Sequence, residues 1–189
     1  MSVYALSVLF LAVNYEAFMN DYVTESEKRR HRVCFTGHRP WKIPIPESSL
    51  RIATSNAVAD AISHGYTTFI SGMAQGFDIV AAETVLEYRK RNPSIRLICA
   101  LPFPDYNLNW DYHWKSRCKQ VLLQADLTRT ISPSYTPNCY QLRNQWMVRH
   151  SSLVIAMYLC APSGTKNTID YAESLGVPVE RLHIVENTK

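Results

Sequence analysis

The sequence predicts an α/β fold: a Rossmann-like three-layer sandwich with a mainly parallel central sheet. Short runs that are apolar almost throughout alternate with longer stretches whose apolar residues recur at helical spacing. A run apolar on both faces is a strand covered on both sides, the situation of a parallel sheet between two layers of helices. Glycine or proline punctuates most of the junctions.

Taken in order, Arg32–Thr36 is short and apolar and ends at Gly37, a strand. Glu47–His64 sets Leu50, Ala53, Ala57 and Ala61 three or four residues apart and stops at Gly65, a helix. Tyr66–Ser71 is strand-like and ends at Gly72. Gly76–Arg91 is helical: Ile79, Ala82 and Leu86 share a face, Asp78 and Glu83 come early, and Arg89, Lys90 and Arg91 come late, as the helix dipole prefers. Asn92 and Pro93 end it, and Ile95–Leu101 is a buried strand. Trp114–Ala125 carries Trp114, Cys118, Val121, Leu122 and Ala125 at helical spacing; Leu127–Ser132 is a short strand. Asn138 caps a helix to about Arg149, and Leu153–Leu159 is a continuous apolar strand. Gly164–Leu175 is a helix closed by Gly176 and Pro178, and Val179–Val185 is the last strand.

Residues 1–31 read as an N-terminal arm and 32–189 as a single domain. Val3–Val13 is apolar but too short for a bilayer, which needs about 20 residues, and no basic stretch precedes it as in a secretory signal. Glu25–Arg32 reads as a charged hinge, and the arm either as poorly ordered or loosely docked or as a helix covering an apolar patch or a partner subunit. Apolar residues make up 47% and charged residues 19% of the 189, which excludes a disordered or low-complexity chain. A net charge of +4 suits an anionic ligand but falls short of a nucleic-acid protein. The five cysteines are odd in number, widely spaced and without a CxxC, which speaks for a reducing, cytoplasmic setting and against a zinc ribbon. No metal or cofactor is expected, and no membrane.

The glycines collect where open parallel sheets bind ligands, at the carboxyl ends of strands. Thr36-Gly37-His38-Arg39 follows the first strand. Ser71-Gly72-Met73-Ala74-Gln75-Gly76-Phe77-Asp78 follows the second, and Ser163-Gly164-Thr165-Lys166-Asn167-Thr168 the fifth; both lead into helices. Helix N-termini present free N–H groups and a positive dipole end to a phosphate, glycine lets the backbone approach it, hydroxyls add donors, and Arg39 adds a guanidinium fork. Neither GxGxxG nor a Walker loop is present. The candidate ligand-binding residues are Gly37, His38, Arg39, Ser71, Gly72, Gln75, Gly76, Asp78, Ser163, Gly164, Thr165, Asn167 and Thr168. Asp78 reads either as a helix-start residue or as a group facing ribose hydroxyls. Tyr106, Trp110, Tyr112 and Trp114 offer either base-stacking rings or a packed lid.

TGHRP, SGMAQGFDIVAAE, LPFP, RNQWMVRHS and SGTKNTIDYA resemble the YpsA-like branch of the SLOG superfamily, which also holds DNA-processing protein A and the Lonely Guy phosphoribohydrolases. The resemblance runs from about Arg32 to Val185. It implies a Rossmann-like fold, a nucleotide-derived ligand, cytosolic residence and a homodimer, and it adds Arg143 and Asn144 to the pocket. The hydrolases carry a Glu in their last glycine loop; Thr168 stands there in this sequence. A hydroxyl is a poor replacement for a carboxylate in acid–base work, and Asp170 or Glu83 would substitute only if the fold brought them in. The expected function is therefore binding of an ADP-ribose-like, NAD-like or nucleoside monophosphate ligand by a sensor or regulatory protein. The alternatives are an N-glycoside (phosphoribo)hydrolase and a single-strand DNA binder.

Overall fold

Alternation of side chains along the strands sets the architecture, because successive residues face opposite sides of a sheet. The computed structural model describes residues 24–159 and 163–182. Its elements are α1 (Glu25–Arg30), β1 (Arg32–Gly37), α2 (Glu47–Ser63), β2 (Thr68–Ser71), α3 (Phe77–Arg91), β3 (Arg96–Leu101), α4 (Tyr112–Leu122), β4 (Leu127–Thr130), α5 (Cys139–Arg149), β5 (Leu153–Met157), α6 (Gly164–Ser174) and β6 (Val179–Arg181). The six strands are all parallel, in the order β4-β3-β2-β1-β5-β6. Val33, Phe35, Phe69, Leu97, Cys99, Ile155 and Met157 point to the face covered by α2, α3 and α4. Cys34, Ile70, Ile98, Ala100 and Val154 point to the other, against α5 and α6. Phe35 anchors the larger core, with its ring 5.9 Å from those of both Phe69 and Phe77. The predicted α/β three-layer class is what the structure shows.

Several boundaries differ from the sequence reading. The charged stretch before β1 is a helix. Thr24 caps it by accepting from the Glu27 N–H at 3.2 Å, with acidic residues in its first turn and basic ones in its last. It is tied down rather than loose: Arg29 Nε donates to the Ser151 carbonyl and Ser152 donates to that of Arg30, both at 3.0 Å. Charges ordered along a helix dipole look the same in sequence as a solvated run. Asn138 heads α5, but its side chain accepts from Thr136 instead of capping. β4 is exposed along its whole length, as an edge strand. β5 ends at Met157 and β6 at Arg181, each sooner than read. The stretch Val3–Val13, Cys160 and the end of the last predicted strand lie outside the described residues. Among those residues no helix is long and apolar enough to cross a membrane.

At the start of α3 the chain turns through Gly76 at φ +92° and ψ −127°, a region essentially restricted to glycine. A Cβ there would stand 2.7 Å from the His38 carbonyl oxygen. At Gly176 (φ +67°) nothing lies within 4 Å. Gly176→Ala is therefore expected to lose about 1 kcal/mol, from backbone strain alone. Gly76→Ala adds a steric clash and is expected to lose about 3 kcal/mol. Urea denaturation of both variants checks the ranking.

Candidate functional site

Between β1 and β5 the strand order switches, since β1 is followed in the chain by its neighbour on one side and flanked by β5 on the other. The loops after the two strands therefore part to opposite faces and leave a crevice at their carboxyl ends. A cavity of about 360 Å³ occupies that crevice. β1 and its following turn give it Thr36, Gly37, His38, Arg39, Trp41 and Lys42. The β2–α3 junction gives Ala74 and Asp78, α5 gives Tyr140, Arg143 and Asn144, and the start of α6 gives Ser163, Gly164 and Thr165.

Arg143 and Asp78 form the floor. They are 4% and 5% exposed and 3.7 Å apart. Asp78 also accepts from the Ala74 N–H at 3.3 Å. Burial pushes its carboxyl above the usual range, against the pull of Arg143, Arg39 and that amide. Arg143 donates through Nη1 to the Gly72 carbonyl. Burial pushes its guanidinium pKa down, with Asp78 opposing the shift. Its Nε is buried and has no hydrogen-bond partner among the described residues. Arg39 and Lys42 have no ion-pair partner among those residues, so three cations face one carboxylate.

His38 is 3% exposed, and its Nε2 accepts from the Leu159 N–H at 3.1 Å. The ring proton of the neutral form therefore sits on Nδ1. At the head of α6, Ser163 Oγ accepts from the Lys166 N–H at 3.3 Å and caps the helix.

The fold brings Gly37, His38, Arg39, Asp78, Arg143, Asn144, Ser163, Gly164 and Thr165 together around the cavity. Ser71, Gly72, Gln75, Gly76, Asn167 and Thr168 are not in its lining. Ser71 is structural: its hydroxyl donates to the Asp78 carbonyl at 2.8 Å and accepts from the Met73 N–H at 3.1 Å. Gln75 is half-buried beside the loop and Asn167 is exposed on α6. Thr168 is buried one turn into α6, donating to the Gly164 carbonyl at 2.8 Å and accepting from Asn144 at 2.9 Å.

The glycines do a different job from the one their positions suggest. A Cβ at Gly37 would strike Phe77, one at Gly72 would strike Arg143 and Asp78, and one at Gly76 the His38 carbonyl. Gly164 alone of these faces open space. Three of the four thus permit close protein packing, and of the four Gly37 and Gly164 line the cavity.

Nor do the other carboxylates come in. Glu83 is held by Arg51 and, at 2.7 Å, by Arg117, which also binds Glu47, on the outer face of α2, α3 and α4. Asp170 pairs with Lys166. Tyr106, Trp110 and Trp114 pack against the core. Tyr112 is 86% exposed, and none of the four lines the cavity.

Phe35, Trp41 and Tyr140 are further aromatic residues of the lining, none of them among the candidates read from the sequence. Tyr140 lies three residues before Arg143, on the same helix face, and Trp41 follows the Arg39-Pro40 turn directly.

Residues 33–174 match the family model described as the YspA SLOG family. The uncharacterized SPbeta prophage-derived protein YoqJ of Bacillus subtilis is 32% identical over 129 residues, 61% of this chain and 75% of that protein. A UPF0398 protein of Bacillus cereus is 23% identical over 80% of this chain and 86% of its own length. Among solved structures, DNA processing protein A of Helicobacter pylori, described for its single-stranded DNA binding mode, superposes with a TM-score of 0.58 at 18% identity, covering 87% of this chain and 70% of that one. The Streptococcus pneumoniae protein of the same name gives 0.60 at 16%, covering 84% of this chain and 52% of that one. These two likenesses speak for the fold.

Burial, and then the charge of Lys42, lower the pKa of His38 below the usual 6.5. As pH falls through about 6.5 the unfolded chain takes up the proton before the folded one does, so stability falls in that direction. Thermal melts between pH 7.5 and 5 are expected to show a steeper loss for the natural chain than for His38→Gln, which keeps an acceptor for the Leu159 amide. Parallel curves would remove this role.

Proposed function

This chain belongs to the YspA SLOG family, and from that premise we propose that it binds a nucleotide-derived small molecule in the β1/β5 cavity and serves as a sensor or regulatory protein. The observation that carries this reading is the unpartnered Nε of Arg143. An unsatisfied buried donor costs about 1–3 kcal/mol, and the cost is greater on a charged group. The same guanidinium lines the cavity, and a bound phosphate oxygen that reached that nitrogen would satisfy it. Arg39, Lys42 and the N-terminus of α6 surround the same space and would share the charge. Asp78, which also lines the cavity, is then left for sugar hydroxyls, from which a carboxylate accepts well. Trp41, 71% exposed at the rim, supplies a face for the base.

Binding without cleavage fits the residues better than hydrolysis does. Thr168 has no carboxylate to give, and its hydroxyl is already spent on Gly164 and Asn144. Glu83 and Asp170 are committed to arginine and lysine elsewhere. Among the described residues Asp78 is the one carboxylate in the lining, and it is held between Arg143 and a backbone amide.

Calorimetric titration with ADP and ADP-ribose tests the reading. Arg143→Lys keeps the charge but has no Nε, and is expected to weaken binding about tenfold or more. A Cβ at Gly164 meets nothing within 4 Å among the described residues, so Gly164→Val enters open space there. Its melting temperature is expected to stay within about 3 °C of the natural chain while binding is lost. Failure of every phosphate-bearing nucleotide to bind would overturn the assignment. Chromatography of the same mixtures is expected to show no free base; base release abolished by Asp78→Asn would make the protein a hydrolase instead.

A further inference from the structure

Beside the cavity the structure carries a second aromatic feature. Tyr140 lines the cavity and is 38% exposed. Its ring centroid lies 5.9 Å from that of Phe103 at an interplanar angle of 76°. Phe103, in the turn after β3, lies 5.5 Å from Tyr135 at 78°. Tyr135, in the loop after β4, is 65% exposed. Since β3 and β4 follow β2 in the sheet order, these rings form a ledge that leaves the cavity and runs along the carboxyl edge of the sheet.

The ledge is rigid. Prolines 102 and 104 flank Phe103, and prolines 133 and 137 bracket Tyr135. Ser132 N–H donates to the Pro102 carbonyl and Ile131 N–H to that of Leu101, both at 2.9 Å, which ties the two loops together. Proline fixes φ, so the rings are held in place before anything binds. The edge-to-face contacts hold the rings to one another, and the exposed surface of Tyr135 that they leave free suits stacking on a base.

We propose that the ligand is a two-base compound, a dinucleotide joined through its phosphates, with one nucleoside phosphate in the cavity and the second base stacked on the Tyr140–Phe103–Tyr135 ledge. This rests on the cavity reading above and deepens it. The cavity, at about 360 Å³, is near the small end of the range for ligand sites and takes one nucleotide unit. The cations Arg39, Lys42 and Arg143 gather at the cavity, where Trp41 offers one aromatic face, and the ledge offers a second that extends beyond the cavity. Charge in the cavity with two aromatic faces matches bases joined through a central pyrophosphate. A polynucleotide would need further cations spaced along its track.

Calorimetry on the full chain, with ADP against diadenosine diphosphate and GDP against diguanosine diphosphate, tests this. In at least one pair the two-base member is expected to bind about tenfold tighter. Tyr135→Ala is expected to bring it within about twofold of the one-base member while leaving that member unchanged, which also shows the variant to be folded; Tyr135→Trp is expected to restore the gain. Equal affinities within both pairs, or an equal loss for both members in Tyr135→Ala, would overturn the ledge and leave the cavity standing. Displacement of the two-base compound by oligothymidylate, with affinity rising with strand length, would overturn it in favour of nucleic acid. If neither ADP nor GDP nor their two-base counterparts bind, the cavity reading falls and the ledge with it.

Discussion

The buried contact of Arg143 with Asp78 and the Gly72 carbonyl holds the two layers of the molecule together at the switch point. Arg143 comes from α5, on one face of the sheet; Asp78 comes from α3, on the other. They meet across the carboxyl end of β2 only because residue 72 has no side chain. Ser71 then fixes the loop by bonding forward to Asp78 and Met73, which sets where α3 begins. Desolvating two charges in this way is expensive, and well-packed apolar residues often do as well or better for stability alone. The pair makes most sense as preorganisation of a guanidinium that lines the cavity.

That constraint explains how the glycines are used. From sequence, three glycine-bearing strand ends look like three arms of one phosphate cradle. In the structure Gly37 yields to Phe77, Gly72 to Arg143 and Gly76 to the His38 carbonyl. These residues bring the β1 turn, the β2 loop and α3 close enough together for side chains to define the site. The cations that line the cavity are Arg39, Lys42 and Arg143, and the start of α6 is the glycine-marked helix N-terminus in its lining.

Much of the fold was legible because it is written in local terms. Apolar runs of strand length, helical spacing and glycine stops are properties of neighbours in sequence, and they located β1, β2, β3 and β5 and the helices between them. What was not legible depends on partners far along the chain. Nothing near Thr168 reveals that its hydroxyl will meet Asn144, 24 residues away. Nothing near Glu83 reveals that Arg117 and Arg51 will claim it. The aromatics of residues 106–114 look free until α4 folds back and buries three of them. Tyr140 and Trp41 were within reach, since helical spacing from Arg143 and adjacency to Arg39 place them.

A ligand in this cavity would touch α3 through Asp78, α5 through Arg143 and Asn144, α6 through Ser163 and Gly164, and the β1 turn through Arg39. These elements lie on both faces of the sheet, and at this end the buried contact of Arg143 with Asp78 links α5 to α3 while Asn144 and Thr168 link α5 to α6. Occupancy would therefore stabilise the arrangement of the two layers by mass action as well as neutralise the cations. Were the site to act as the proposed receptor, the free energy of binding would be available to α5 and α6 through the packing that a ligand completes.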